Sequence, residues 1–242
     1  MRVPSTEVQN NFGKYLKFAE VNEEIIVTKN GRDIARILSC DAPNKSLVAE
    51  GASEYQTREG RVTYEEFLEL VEASEQRFEL IDGVIYNLAS PSFEHQYAVN
   101  EIHGTFYNWF KNNINCIPLT SPFDITLFKA EDNICVVQPD IIVICDRDKM
   151  DKNGKYKGVP TLVVEVLSPS SRSKDTLKKL ELYKQCGIKE YWMVDPKNNL
   201  VYIYMLDKNE ITDSTAFQKG AHDYVESGYF RGLKVALTDM FL

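Results

Sequence analysis

Long hydrophobic runs, metal-type cysteine pairs and a basic surface are all missing from this 242-residue chain, and each absence removes a class of function. No apolar segment approaches the roughly 18 residues of a membrane-spanning helix. The opening Met1-Arg-Val-Pro-Ser5 leads into a polar amphipathic stretch instead of a signal-peptide core. A cytoplasmic protein without a membrane partner is expected. Cys40, Cys116, Cys135, Cys145 and Cys186 are odd in number and contain no Cys-x-x-Cys pair. Buried free thiols in a reducing compartment are therefore expected over disulfides or a zinc site. A formal net charge of −8 is the opposite of a protein that grips DNA through a broad basic face. Any nucleic-acid contact must be local, brief or metal-assisted. Internal repeats and low-complexity tracts are absent too.

What the chain does contain is a pair of carboxylates in costly places. Asp140 stands in the apolar run Ile134 to Ile144, and Glu165 in Thr161-Leu-Val-Val-Glu-Val-Leu167. A carboxylate in a low-dielectric interior costs several kcal/mol unless it is protonated, paired or bound to a cation. Two of them on neighbouring strands would make an oxygen-rich site for a hard divalent metal.

The chain divides into residues 1–40, a linker over 41–60 without sustained periodicity, and a larger domain over 61–242. In the first part, Thr6-x-x-Gln9 reads as a capping box, and Val8, Phe12, Tyr15, Leu16 and Ala19 recur at helical spacing. Ile25 to Lys29, Asn30-Gly31 and Arg32 to Leu38 then read as a hairpin with a type I′ turn. Some 40 residues are too few for a solitary core, so this unit should dimerise or lean on the rest. In the larger domain, Thr63-x-x-Glu66 should cap a helix that buries Phe67, Leu68 and Val71. A hairpin should turn at Asp82-Gly83. Ser92 should cap a helix to about Asn113, with Tyr97, Ile102, Phe106 and Trp109 facing inward. Strands are expected near 122–128, 134–145, 160–167, 190–194 and 199–206, with a helix from about Ser173 to Cys186.

Six separated blocks, in order, carry a resemblance: Phe78-Glu79-Leu-Ile-Asp-Gly83, Ser90-Pro-Ser-Phe-Glu-His95-Gln96, Pro139-Asp140, Val164-Glu165-Val-Leu-Ser-Pro169, Asp175 with Lys179 and Tyr183, and Glu190-Tyr-Trp-Met-Val-Asp195. Residues 61–242 resemble the PD-(D/E)XK nuclease superfamily and, within it, the Uma family of restriction-endonuclease-like proteins. The resemblance implies a mixed α/β fold, a restriction-endonuclease-like central mixed β-sheet flanked by helices. It also implies a metal-dependent endonuclease acting on DNA. Asp140, Glu165 and the backbone carbonyl of Val166 would hold magnesium, with manganese as a substitute, and the ion would polarise a phosphodiester and acidify a bound water. The superfamily's lysine usually follows two residues after the glutamate, where this chain has Leu167. Lys179, four residues after Asp175 on the next helix, resembles the family's displaced lysine and would stabilise the developing charge. An exposed Asp–Lys pair of little energetic worth is the alternative. Glu79 corresponds to an additional acidic residue, as outer ligand or partner of Lys179, with a plain strand position as its alternative. His95 would contact phosphate or assist proton transfer. Arg172, Lys174, Lys178 and Lys184 form either a solvated face or a phosphate track.

The first 40 residues resemble the Phd/YefM antitoxin module through Val3-Pro-Ser-Thr-Glu-Val8, Asn11-Phe12, Leu16 and the hairpin with Lys29-Asn-Gly31. That implies a small α/β homodimerisation unit that binds operator DNA. Asp33 replaces a frequent proline, and the usual toxin-wrapping tail gives way to the linker and the nuclease-like domain. Three functions follow: a DNA endonuclease dimerised by its N-terminal module, a non-cleaving antitoxin-like regulator carrying an inactive nuclease fold, or a hydrolase of another phosphodiester. A toxin or methyltransferase partner is not legible.

Overall fold

The computed structural model describes residues 1–21, 23–39, 61–113, 116–152, 154–168 and 175–242. The linker expected over 41–60, with Cys40, Arg172 and Lys174, lies outside them, as does the side chain of Asp175. The described chain forms two compact units, Met1–Ala89 with Asp132–Cys135, and Ser90–Glu131 with Val136–Leu242.

The first unit opens with strand β1 (Arg2–Pro4) and helices α1 (Ser5–Asn10) and α2 (Phe12–Glu20), followed by β2 (Ile25–Lys29) and β3 (Arg32–Ile37). β1 pairs parallel with β2, and β2 antiparallel with β3. Asn30 and Gly31 both take positive φ, 51° and 75°, as the expected type I′ turn requires. The expected capping box at Thr6 is not made. Helix α1 starts two residues earlier than that cap implies, with Pro4 in the cap position and no side-chain cap bond. Val8, Tyr15 and Ala19 are buried, whereas Phe12 and Leu16 of the same periodic set are 52% and 40% exposed. This module shares its compact unit with α3 (Tyr64–Ala73), β4 (Phe78–Ile81) and β5 (Val84–Asn87). Lys14 bonds Glu69, and Ser74 Oγ donates to the buried Glu23 carboxylate at 2.7 Å. Thr63 does make its capping box, accepting from Glu66 N at 3.2 Å while Glu66 Oε2 accepts from Thr63 N at 3.0 Å. Phe67 and Leu70 face inward, in place of the expected Leu68 and Val71.

The second unit is built on α4 (Phe93–Asn113), whose backbone starts at Ser92 with His95 N donating to Ser92 Oγ at 3.4 Å. Strands β6 (Ile117–Thr120), β7 (Ile125–Ala130), β8 (Asn133–Val137), β9 (Ile141–Ile144) and β10 (Leu162–Val166) follow. Then come α5 (Asp175–Cys186), β11 (Glu190–Asp195), β12 (Leu200–Asp207), β13 (Glu210–Gln218), β14 (Tyr224–Glu226), β15 (Lys234–Ala236) and α6 (Leu237–Met240). Strand β8 divides between the units after Cys135. Among the described residues, six strands run in the order β13-β12-β11-β10-β9-β6, with β10 and β11 parallel and the other neighbours antiparallel. The parallel pair is joined through α5, the crossover that parallel strands require.

Alternation along the strands gives this sheet two different faces. Ile141, Val143, Val164, Val166, Trp192 and Val194 join Ile102, Phe106 and Phe110 of α4 in one core. Val163, Glu165, Tyr191 and Met193 point to the other side. Tyr97, expected inward, is half-buried. The single strand expected over 134–145 is broken, because Gln138-Pro139-Asp140 separates β8 from β9.

Cys116 and Cys145 form a disulfide with Cα atoms 4.2 Å apart, which corrects the expectation of free thiols at these positions. The cause is register: β6 pairs β9 with Ile117 opposite Ile144, so the flanking cysteines are the next opposed pair. Cys135 is buried and Cys186 half-buried. No helix among the described residues is long and apolar enough to cross a membrane.

Candidate active site

Antiparallel pairing of β9 with β10 ends with Ile141 opposite Val164, which leaves Asp140 just ahead of β9 and Glu165 one residue further along β10. Asp140 is tied at both ends: its backbone carbonyl accepts from Ser121 N at 3.1 Å, and its Oδ2 accepts from Val166 N at 2.7 Å. The preceding Gln138 is anchored by donation from Nε2 to Asp124 Oδ1 at 2.7 Å. The strand break therefore aims the Asp140 carboxylate along the end of β10.

Glu165 is the penultimate residue of β10 and by alternation points away from the core that Val164 and Val166 share with α4. Two residues of α5 reach its Oε1, Lys179 Nζ at 3.0 Å and Tyr183 OH at 2.5 Å. Lys179 and Tyr183 are four apart and share one side of the helix. Tyr183 is fully buried and meets the ring of Tyr191 edge-on at 5.2 Å. Burial, with the Glu165 charge behind it, holds the Tyr191 hydroxyl well above the ordinary tyrosine range. Tyr191 therefore stays neutral beside the site.

His95, in the first turn of α4, lies with Nε2 3.2 Å from Asp140 Oδ2. Burial pulls its imidazole pKa down, but the bond to Asp140, the charges of Asp140 and Glu165 and the Val166 backbone together outweigh burial and raise it. Nδ1 of His95 is buried and has no hydrogen-bond partner. The oxygens that hold a proton on this buried ring are those the sequence assigns to a metal.

Asp140, Glu165, Val166, Lys179 and His95 are thus brought together in the second unit. Glu79 belongs to the first, buried on β4 opposite Tyr86. Two features were not in the sequence reading: the ion pair between His95 and Asp140, and the Tyr183 hydroxyl on Glu165. The second had a signal in the i,i+4 spacing of Tyr183 from Lys179. Both carboxylates are paired by protein groups, so their burial alone does not demand a metal.

Among the described residues, no three His, Cys, Asp or Glu side chains converge into a metal cage. A small, strongly hydrated cation such as magnesium is commonly bound by one or two carboxylates, with water and substrate phosphate as the remaining ligands. Asp140 and Glu165 supply oxygen donors of the charge and hardness such an ion takes.

Comparison with known proteins bears on the fold and the family. Over 168 residues, 69% of this chain and 84% of the relative, the sequence is 29% identical to an uncharacterized protein of Synechocystis. A crystal structure from Anabaena variabilis, described as a "putative nuclease belonging to DUF820", superposes with a TM-score of 0.59 at 24% identity, covering 74% of this chain and 97% of that one, and supports the fold. Residues 1–50 match the Phd/YefM antitoxin family of type II toxin–antitoxin systems. Residues 64–237, well over half of the chain, match the Uma2 family model, and the protein belongs to that family, described as "Putative restriction endonuclease".

Proposed function

We propose that this protein is a metal-dependent endonuclease that hydrolyses DNA phosphodiester bonds, with its site at Asp140 and Glu165. The observation that carries the reading is the meeting, beside the last residues of β10, of Asp140, whose Oδ2 accepts from Val166 N and faces His95 Nε2, with Glu165, held by Lys179 and Tyr183. Asp140, Glu165 and the Val166 carbonyl would hold magnesium, or manganese in its place. When bound, the ion supplies a Lewis acid for the phosphodiester and an acidified water.

The chain's own groups do the rest. Tyr183 donates to Glu165 and fixes its rotamer. Lys179 is paired with Glu165 beside the reacting region, where its charge stabilises negative charge growing on phosphorus. It thereby takes the place of the lysine that Leu167 cannot supply. His95 pairs with Asp140, and a divalent ion held by that carboxylate would compete with this pairing. Assistance by Glu79 rests on the family motif alone.

The N-terminal module is assigned to homodimerisation and DNA placement. Its support is the match to the antitoxin family and the solvent-exposed Phe12, Leu16, Ile34 and Leu38 on one small unit. Two copies held together would place two nuclease sites for cutting both strands. The test is direct: chelator-treated protein should gain thermal stability on addition of magnesium or manganese and should then nick or linearise supercoiled plasmid. Protein that does neither is the non-cleaving DNA-binding regulator.

A further inference from the structure

Three tyrosines continue outward from the site on the Glu165 side of the sheet. Tyr191 stands opposite Tyr204 in the pairing of β11 with β12, and their rings lie 5.9 Å apart at 19°. Tyr204 and Tyr202, two apart on β12, have rings 6.5 Å apart at 20°. The inner ring, Tyr191, meets Tyr183, whose hydroxyl bonds Glu165. A nearly parallel array of Tyr191, Tyr204 and Tyr202 therefore spans β11 and β12, and the edge-on ring of Tyr183 joins its inner end to the candidate catalytic carboxylate.

The outer part of the array is open. Tyr202 and Tyr204 are only half-buried, although the alternate residues Val201 and Ile203 are sealed against the α4 side. Their neighbours across β13 are Ala216 and Ser214, both small and both exposed. A bulky or charged residue at either position would cover the rings or repel a polyanion.

We infer that Tyr202 and Tyr204 form a stacking platform for unpaired nucleobases, so that the substrate is a nucleic acid with a single-stranded segment next to the cleaved bond. The inference rests on the nuclease reading for its meaning, since the array is continuous with that site. Base faces are available only where pairing is absent, and stacking is tolerant of sequence. It also suits a chain of net charge −8, because stacking does not require the many phosphate contacts that make duplex binding strongly salt-dependent.

The experiment is fluorescence anisotropy of a labelled oligothymidylate and of a blunt duplex of equal length, in EDTA so that nothing is cut. Wild type should bind the oligothymidylate more tightly than the duplex. Tyr202→Ser and the double variant Tyr202→Leu with Tyr204→Leu should weaken it about 10- to 100-fold. Tyr202→Trp should keep or tighten it, a rescue that a merely structural tyrosine would not require. Thermal melts identify any variant that has lost its fold, and Tyr202→Trp then decides alone. Equal binding by wild type and Tyr202→Ser, or preference for the duplex, overturns the platform. Plasmid cleavage in magnesium is scored separately. Protein that cuts plasmid but binds duplex as well as single strand overturns the platform and leaves the nuclease. Protein that needs Tyr202 to bind single strands but never cuts supports the platform while the nuclease reading falls.

Discussion

His95 Nε2 stands 3.2 Å from Asp140 Oδ2, a pairing that links the first turn of α4 to the carboxylate ahead of β9. Because its field raises the imidazole pKa over the value of an unfolded chain, the bond stabilises the metal-free protein fully below about pH 6.5. That contribution is lost as pH rises through the folded-state value. In EDTA the melting temperature should therefore fall between pH 6 and pH 9, and His95→Asn should flatten the slope. Divalent-ion affinity should change in the opposite sense, rising with pH as the competing proton leaves. Calorimetry in buffers of different ionisation enthalpy would register that proton release.

Lys179 and Tyr183 share one oxygen of Glu165 but have different duties. Lys179→Met removes the positive charge from the reacting region, and kcat should fall about 10²- to 10³-fold with little change in KM. Tyr183→Phe removes one donor to a charged acceptor, worth about 1.5–3 kcal/mol. Its kcat should fall about 10- to 100-fold and its divalent-ion affinity should weaken, since the rotamer of Glu165 is no longer held. Steady-state cleavage with titrated metal separates the two effects.

Away from the site, Glu190 is completely buried and accepts from Trp192 Nε1 at 2.7 Å, Ser227 Oγ at 2.6 Å, Gly228 N at 3.1 Å and Tyr229 N at 3.0 Å. It pins the loop after β14 to the start of β11. Glu190→Ala would leave several buried donors unsatisfied at about 1–3 kcal/mol each, so chemical denaturation should record a loss of at least about 3 kcal/mol. Its motif position is thus accounted for by folding and needs no catalytic duty.

The parts of this structure legible in the sequence are those with strong local signals. Asn30-Gly31 and Asp82-Gly83 fix their turns through positive φ, and Thr63 with Glu66 closes its cap using neighbours alone. Glu165 was readable because β10 is apolar on both sides of it. Asp140 was placed within a strand, but Pro139 removes a ladder donor and the run divides there. Strand β13 escaped notice because nearly all of it is exposed, which erases the alternation that marks a half-buried strand. The Cys116–Cys145 bond depends on the register of β6 against β9, and β6 carries no pattern of its own. His95 and Asp140 meet only after the helix and the sheet have packed, so no spacing in the chain announces the pair.

The central claim, that Asp140 and Glu165 form the cutting site, is tested most directly by incubating supercoiled plasmid with magnesium and wild-type protein beside identically prepared Glu165→Ala. The account predicts nicking or linearisation by wild type that chelator abolishes and Glu165→Ala cannot perform. Equal cleavage by both proteins, or none by wild type with magnesium or manganese, would contradict it.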